Sequence, residues 1–514
     1  MRKKAIALVV CFSMALSFLI GCGSQNAENK SSESKESQAV EKTAASESEK
    51  ASAEEEEKEL VSLRLVMYGE LTTRREEFLK NEFHDAVLED LNIDLSVEFL
   101  PWGSDSVVRT MLTSGEAFAL NYRYDRDDYF QKGYLAEIPM ELIEEKCPTY
   151  LQMRGSKGFK AASYDGKILC MPFGNKASGG RHQFYTVRKD MLDELGYKAE
   201  EITTLDKWIE VCEAVHQTWP DVRVIPASTV DYSMLGYVFT GEVPTMINSY
   251  GYINELEEGS TVYNYYESEL FKKVAEYHAE MIESGYIIPD MFTDPGKANA
   301  DWKAGLSFSK AGVPGEIVET GFISTIPGAE ITRVKIGDAP FVTTMDYDWG
   351  ISISAADEEH VDRWLELIEW MYKDQETYDF LIYGVEGKDY ERNEDGSINK
   401  LVTDVFWEDW FMMADCYQTY SSMVTEENIQ IYLDTDKDVI ESKTMGFVFD
   451  SSAVSTEISM IQAAYDEYMK PIEMGIDAYD SHYEEALKKM KDAGLDTVVE
   501  EIQNQFSAWY ANNR

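Results

Sequence analysis

Between Val61 and Leu120 the residue pattern switches repeatedly between a period of two and a period near 3.6. Val61-Ser-Leu-Arg-Leu-Val-Met67 alternates like a strand, and Thr73–Glu89 carries helical spacing through Phe78, Phe83, Val87 and Leu88. Leu95-Ser-Val-Glu-Phe-Leu100 is a second strand, Ser104–Leu112 a second helix and Phe118-Ala119-Leu120 a short third strand. This β-α-β-α-β order predicts an α/β fold with parallel strands and helices packed on the sheet faces. Ligands of such open sheets sit beyond the carboxyl ends of the strands, so the loops at Tyr68–Leu71 and Asn121–Asp125 are the first candidates for a site.

The N-terminus restricts the compartment. Met1-Arg2-Lys3-Lys4 is basic, Ala5–Ile20 carries no charge, and a small residue precedes a cysteine at Gly21-Cys22. That arrangement is an export signal over residues 1–21. Leu19-Ile20-Gly21-Cys22 resembles the lipobox of bacterial lipoproteins, which implies a lipidated Cys22 as the first mature residue; the alternative is an ordinary secretory signal with a chance cysteine. Residues 22–60 are nearly all Ser, Ala, Lys, Gln and Glu with no aromatic residue. Such a segment cannot bury enough apolar surface to offset ordering entropy, and is expected to be a disordered acidic tether with a reach of roughly 35 Å.

The following residues, about 450, exceed one ordinary core and suit two lobes. The whole chain holds 95 acidic against 47 basic residues, a formal charge of −48. Such a field repels nucleic acid and anionic surfaces and disfavours polyanionic ligands, leaving neutral or cationic solutes. Most of the acidity serves solubility. Cys147, Cys170, Cys212 and Cys416 are widely spaced and read as free, mostly buried thiols.

No Walker A loop, dinucleotide fingerprint, Gly-x-Ser-x-Gly elbow or His-Glu-x-x-His pair occurs from residue 61 onward. The six histidines are scattered, so neither a metal nor another cofactor is expected. Asp434-Thr-Asp-Lys-Asp438 begins like a calcium loop but has Val439 and Met445 where Gly and Glu are needed, and reads as a solvated acidic turn. A glycosidase-type carboxylate pair remains open, because its members need only be close in space.

Further along, Tyr164-Asp-Gly-Lys167 makes a turn before a strand at Ile168–Met171, and Gln183–Val187 is extended. Thr203-Thr-Leu-Asp206 has capping-box spacing and opens a helix with Leu205, Trp208, Ile209, Cys212 and Val215 on one stripe. Leu270–Met281 is another helix, Gly350–Ser354 a strand, Glu358–Tyr372 a helix with Trp364 inward, and Val498–Trp509 a final amphipathic helix.

Met111-Leu-Thr-Ser-Gly-Glu-Ala-Phe118, Lys132–Glu137, Tyr164–Ile168 with Pro172, Arg188–Leu192, Trp349–Ile353, Tyr383–Lys388, Gly446–Asp450 and Ala493–Asp496 occur in an order that resembles the extracellular solute-binding lipoproteins of bacterial carbohydrate ABC importers. The resemblance implies a two-lobe periplasmic-binding-protein-like (type II) fold with a multi-stranded hinge and an interlobe cleft. Its pattern puts the crossings near 182–188, 336–342 and 386–394, with lobe one over 61–182 and 342–385 and lobe two over 183–341 and 386–514. It implies cleft residues at Tyr68, Gly69 and Glu70 and at Tyr122, Arg123, Tyr124 and Asp125, with Tyr232, Asp348 and Trp349 from other segments. Ala119 stands where the group has Asp.

Sugar binding requires aromatic faces against ring C–H groups and polar groups for hydroxyls. Of the ten tryptophans, Trp208, Trp364 and Trp509 lie on apolar stripes and Trp302, Trp219 and Trp370 read as structural, leaving Trp102, Trp349, Trp407 and Trp410 for a site. The implied function is a monomeric, non-enzymatic, lipid-anchored receptor on the extracytoplasmic face that carries a neutral mono- or oligosaccharide to an ABC permease. A surface glycoside hydrolase and a ligand-presenting sensor are the competing readings. Cys22→Ser should leave an unlipidated precursor that partitions into the aqueous rather than the detergent phase; a mature wild-type protein that starts elsewhere and is already aqueous would contradict the anchor.

Overall fold

The computed structural model describes residues 59–513, except 102, 122–128, 155–157, 174–182, 226–230, 293–296, 319–325, 344–349, 403–406, 408–416, 436 and 438. Strand β1 (Val61–Tyr68) leads through helices α1 (Thr73–Lys80) and α2 (Glu82–Leu91) to β2 (Ile93–Leu100), then through α3 (Asp105–Ser114) to β3 (Ala119–Asn121). These three strands are parallel, with β1 in the middle. The strand Gly350–Ile353 adds antiparallel to β3, and Met171–Pro172 adds antiparallel to that. The expected single helix over Thr73–Glu89 is two, because Asn81 adopts φ −117° and ψ −83° between them.

Strand alternation divides the apolar residues between the two sheet faces, as buried parallel strands require. Leu63, Leu65 and Met67 join Phe78, Phe83 and Val87 of α1 and α2 in the first core. Val66, Tyr68 and Leu120 point the other way, onto Val108, Met111 and Leu112 of α3.

A second core is built on the antiparallel strand Phe184–Arg188, flanked by Ser309–Gly312 and Ile331–Val334. The helix Leu205–Thr218 packs here, and Trp208 stacks on Tyr185 at 4.5 Å between ring centres and 11° between planes. Thr204, rather than Thr203, caps this helix, accepting from the Lys207 N–H at 3.2 Å. A third core joins the strands Pro244–Ile247 and Gly251–Asn254 to the helices Glu269–Glu283 and Leu495–Asn513; Phe239 packs against both this core and the second. Cys147, Cys170 and Cys212 are free and buried, and Cys416 lies outside the described residues.

Core membership changes between Phe173 and Tyr185 and again between Ile336 and Ile351. The expected third crossing at 386–394 and the lobe boundary at 385 are corrected, because the first core continues past them. Tyr390, Ile398 and Trp407 all belong to the first core, with Val402 and Tyr417 packed against it. A bidentate ion pair holds this segment there: Arg74 of α1 donates to Asp389 at 2.8 and 2.7 Å, and Asp389 is 1% exposed. Burial alone raises the Asp389 carboxyl, yet the Arg74 and backbone hydrogen bonds hold it below its ordinary value. Breaking such a pair on one side strands a buried charge, which is why the sequence after Tyr383 stays with the first core. The segment that runs beside the second connection is Val439–Glu441, paired in parallel with Phe341–Thr343. Among the described residues no helix is long and apolar enough to cross a membrane.

In the third core, Glu473 accepts from the hydroxyls of Tyr265 at 3.0 Å and Tyr465 at 2.8 Å. Burial pushes its carboxyl above the ordinary value of 4.5, outweighing those two bonds. An acid whose folded value is raised contributes stability at low pH that is lost as pH climbs through that raised value. The stability of wild type relative to Glu473→Gln, measured by urea unfolding, should therefore decline as pH rises from about 4.5 towards neutrality. A pH-independent difference would show that the Glu473 carboxyl titrates alike in the folded and unfolded chain.

Candidate functional site

The carboxyl ends of β1 and β3 lie side by side, with Met67 opposite Asn121. Gly69 leaves β1 at φ +141°, where a side chain is strained, and its N–H bonds the Leu100 carbonyl at 3.0 Å. The Arg75 guanidinium donates to the Glu70 carbonyl at 3.0 Å and sits 4.1 Å above the Phe99 ring. Glu70 therefore has a fixed backbone and an exposed side chain. Tyr68 does not face outward: it is 1% exposed, and its hydroxyl donates to Asp105 of α3 at 3.2 Å. Tyr68 is an inward-facing strand position because β1 alternates and both of its faces are covered.

Asn121, where the candidate loop of the sequence begins, ends β3 fully buried, and among the described residues neither amide atom has a hydrogen-bond partner. Its signal was one polar residue closing an apolar strand. Tyr122, Arg123 and Asp125 follow it directly but lie outside the described residues, as do Asp348, Trp349, Trp102, Trp410 and Cys22. Tyr232 is in the first turn of the helix Asp231–Thr240. Gly350, just after Trp349, has no room for a side chain, since a Cβ would come within 2.5 Å of the Cys170 Sγ and the Met171 carbonyl oxygen. The strand that begins there is thus pressed against its neighbour.

Trp407 is withdrawn from the site. It is fully buried, edge-on to Phe83 with ring centres 5.7 Å apart, in the first core. Its neighbours Phe406 and Trp410 gave it no clear helical stripe, so the sequence had no periodic evidence that it packs inward.

The connections between cores are stitched by side chain and backbone together. The Gln183 amide donates to the Val342 carbonyl at 3.3 Å and accepts from the Val342 N–H at 2.9 Å, both groups being buried. The Ser442 N–H, just after Val439–Glu441, donates to the Thr343 carbonyl at 2.8 Å. Beside them Phe184, Phe341 and Tyr432 form a small apolar cluster with Ile317. The Arg333 guanidinium lies over two of its rings, and burial pulls it below its ordinary value, with Asp434 acting in the opposite direction. A shallow pocket nearby is lined by Gln183, Tyr237, Glu242, Lys335 and Pro340. Chemically, the arrangement offers hydrogen-bonding side chains and aromatic faces at strand ends.

Residues 443–511 match a family described only as a domain of unknown function, DUF3502. Over 475 residues the chain is 22% identical to a carbohydrate ABC transporter substrate-binding protein of Streptococcus pneumoniae, covering 88% of this chain and 91% of that one. Among solved structures, the N-glycan transport solute binding protein NgtS of Streptococcus pneumoniae superposes with a TM-score of 0.74 at 20% identity, covering 89% of this chain and all of that one (100%). Its complex with Man1GlcNAc gives 0.66 at 20% identity over 88% and 100% of the two chains. Its complex with Man5GlcNAc gives 0.65 at 19% identity over 89% and 100%.

Trp407→Ala should lower stability by about 3–5 kcal/mol through a core cavity, and should leave the Kd of any bound solute unchanged when measured well below the melting temperature. Weakened binding at unchanged stability would return Trp407 to the site. The architecture is that of the two-lobe solute-binding proteins, and the likeness read from the sequence to the solute-binding proteins of carbohydrate ABC importers stands.

Proposed function

We propose that this chain is the solute-binding component of a carbohydrate ABC importer, tethered by lipid at Cys22 outside the cytoplasm, and that it takes a neutral mono- or oligosaccharide into a cleft between its lobes for delivery to a permease. The observation that carries this reading is the set of superpositions on NgtS. That one relative gives 0.74 for the structure named without a glycan and 0.66 or 0.65 for those named with one, at nearly identical coverage. These differences support a conformational reading, in which this chain is closer to the geometry named without a glycan. That is the behaviour of a hinged protein that closes around its ligand. The narrow connections at Gln183, Phe341–Thr343 and Val439–Glu441 suit such a motion.

In this reading Glu70, Tyr122, Arg123, Asp125, Tyr232, Asp348 and Trp349 are the ligand contacts. The aromatic residues present ring faces to sugar C–H groups, while the carboxylates and Arg123 serve the hydroxyls. The formal charge of −48 favours an uncharged solute. The names of the relatives support binding and transport rather than catalysis.

Calorimetry against neutral oligosaccharides should find a binder, and small-angle scattering should show compaction at saturation. Saturation at a hundredfold excess over Kd should also add about 2.7 kcal/mol of stability. Alanine at Tyr122, Tyr232 or Trp349 should each weaken binding at least about tenfold, as expected for a buried aromatic anchor. Binding without compaction would argue for a ligand held by one lobe, and a response confined to peptides or amino acids would overturn the sugar assignment.

A further inference from the structure

Arg333 lies on the strand Ile331–Val334 opposite Thr186. Its neighbour Val334, with Tyr185 and Val187, faces the second core, so strand alternation puts Arg333, Thr186 and Phe184 on the other face. There the guanidinium carbon is 5.7 Å from the centre of the Phe184 ring and 5.6 Å from that of Phe341. One ring comes from each of two segments that connect the cores, so the guanidinium is placed at the connection between them.

Among the described residues, several other arginines are occupied. Arg64, Arg74, Arg188, Arg223, Arg363 and Arg392 each hold a carboxylate. Arg333 has neither a hydrogen bond nor an ion pair among the described residues, and its Nη1 is shielded from solvent without a partner. Asp434, which acts on it electrostatically, is already taken by Lys437 at 2.5 Å and by Gln430 at 2.5 Å. Acidic residues outnumber basic ones two to one in this chain. Leaving a half-buried guanidinium unanswered under those conditions costs stability, because donors stripped of water need an acceptor. Arg333 as a residue is partly exposed, so this face of the sheet is not sealed from solvent.

We infer that Arg333 is a ligand-contacting residue at the hinge end of the sugar site, where its forked N–H groups donate to a pair of adjacent hydroxyl oxygens on a neutral sugar. The inference rests on the solute-binding reading and names one contact within it. Guanidinium suits this contact because it is planar, always charged, and presents parallel donors at the spacing of vicinal oxygens, whereas lysine offers a single point. The two phenylalanine rings hold the guanidinium in place before ligand arrives, which reduces the ordering cost on binding.

The test compares the full chain with Arg333→Ala and Arg333→Lys against Man5GlcNAc, lacto-N-tetraose, kestose and cellotetraose, with sialyllactose as an acidic arm, by calorimetry and thermal melting. The expected result is that the tightest neutral binder loses at least about thirtyfold in affinity with alanine and about tenfold with lysine. The ligand-free melting temperature of Arg333→Ala should stay level or rise, since an unanswered buried cation is removed. Wild-type binding by Arg333→Ala, or a lowered melting temperature with unchanged affinity, overturns the inference while the transport reading survives. Arg333-dependent binding of sialyllactose alone overturns the neutral hydroxyl pair in favour of a carboxylate. A wild-type protein that binds none of these solutes overturns the solute-binding reading, and the inference with it.

Discussion

The paired hydrogen bonds between the Gln183 side chain and the Val342 backbone are the constraint on which this architecture turns. Where a chain passes from one core to another it must carry buried peptide groups through a narrow region with little room for a sheet, and each unpaired group there is costly. Gln183 answers both polar groups of Val342 with one amide, so the first two connections are fixed to each other. The pairing of Phe341–Thr343 with Val439–Glu441 then ties the last connecting segment to the same place. The proposed closure would turn about these bonds instead of breaking them, which lets the cores move without exposing backbone.

On the first core, the Arg74–Asp389 pair decides where a long stretch of chain belongs. Asp389 also accepts from the Val385 N–H at 2.9 Å, and its own carbonyl accepts from the Leu401 N–H at 2.8 Å. One buried carboxylate therefore organises the turn after Tyr383 and docks it on α1. A second buried carboxylate repeats the device: Asp379 pairs with Arg392 and accepts from Thr419 at 3.2 Å. Charge pairs of this kind select an arrangement by penalising every alternative that leaves one partner alone. They explain why Tyr390, Ile398 and Trp407 join a core that their sequence neighbourhood does not announce.

Arg333 contrasts with these pairs. The same chain that answers these buried carboxylates leaves this guanidinium beside two rings with its Nη1 unpartnered among the described residues. Sites that bind ligands carry such unmet groups because the ligand supplies the missing partner. Asn121 at the end of β3 shares the property on the other core, with both amide atoms unpaired among the described residues.

What the sequence determined by itself was everything that depends on local period and capping. The β-α-β-α-β order over Val61–Leu120, the burial of Trp208 and Trp364, and the helix opened by the 203–206 threonine pair all follow from spacing, because a strand or helix face exposes its own repeat. The two-lobe class was legible for the same reason, through motifs whose order survives at low identity. What only the tertiary structure decided were matters of long-range partnership. The break at Asn81, the inward turn of Tyr68, the loss of Trp407 to a core and the allegiance of residues 386–407 all depend on groups that the local pattern does not contain, such as Arg74 for Asp389. Arg333 was invisible for the matching reason: in a sequence every arginine looks alike, and only the packed chain shows that the buried Nη1 of this one has no partner among the described residues.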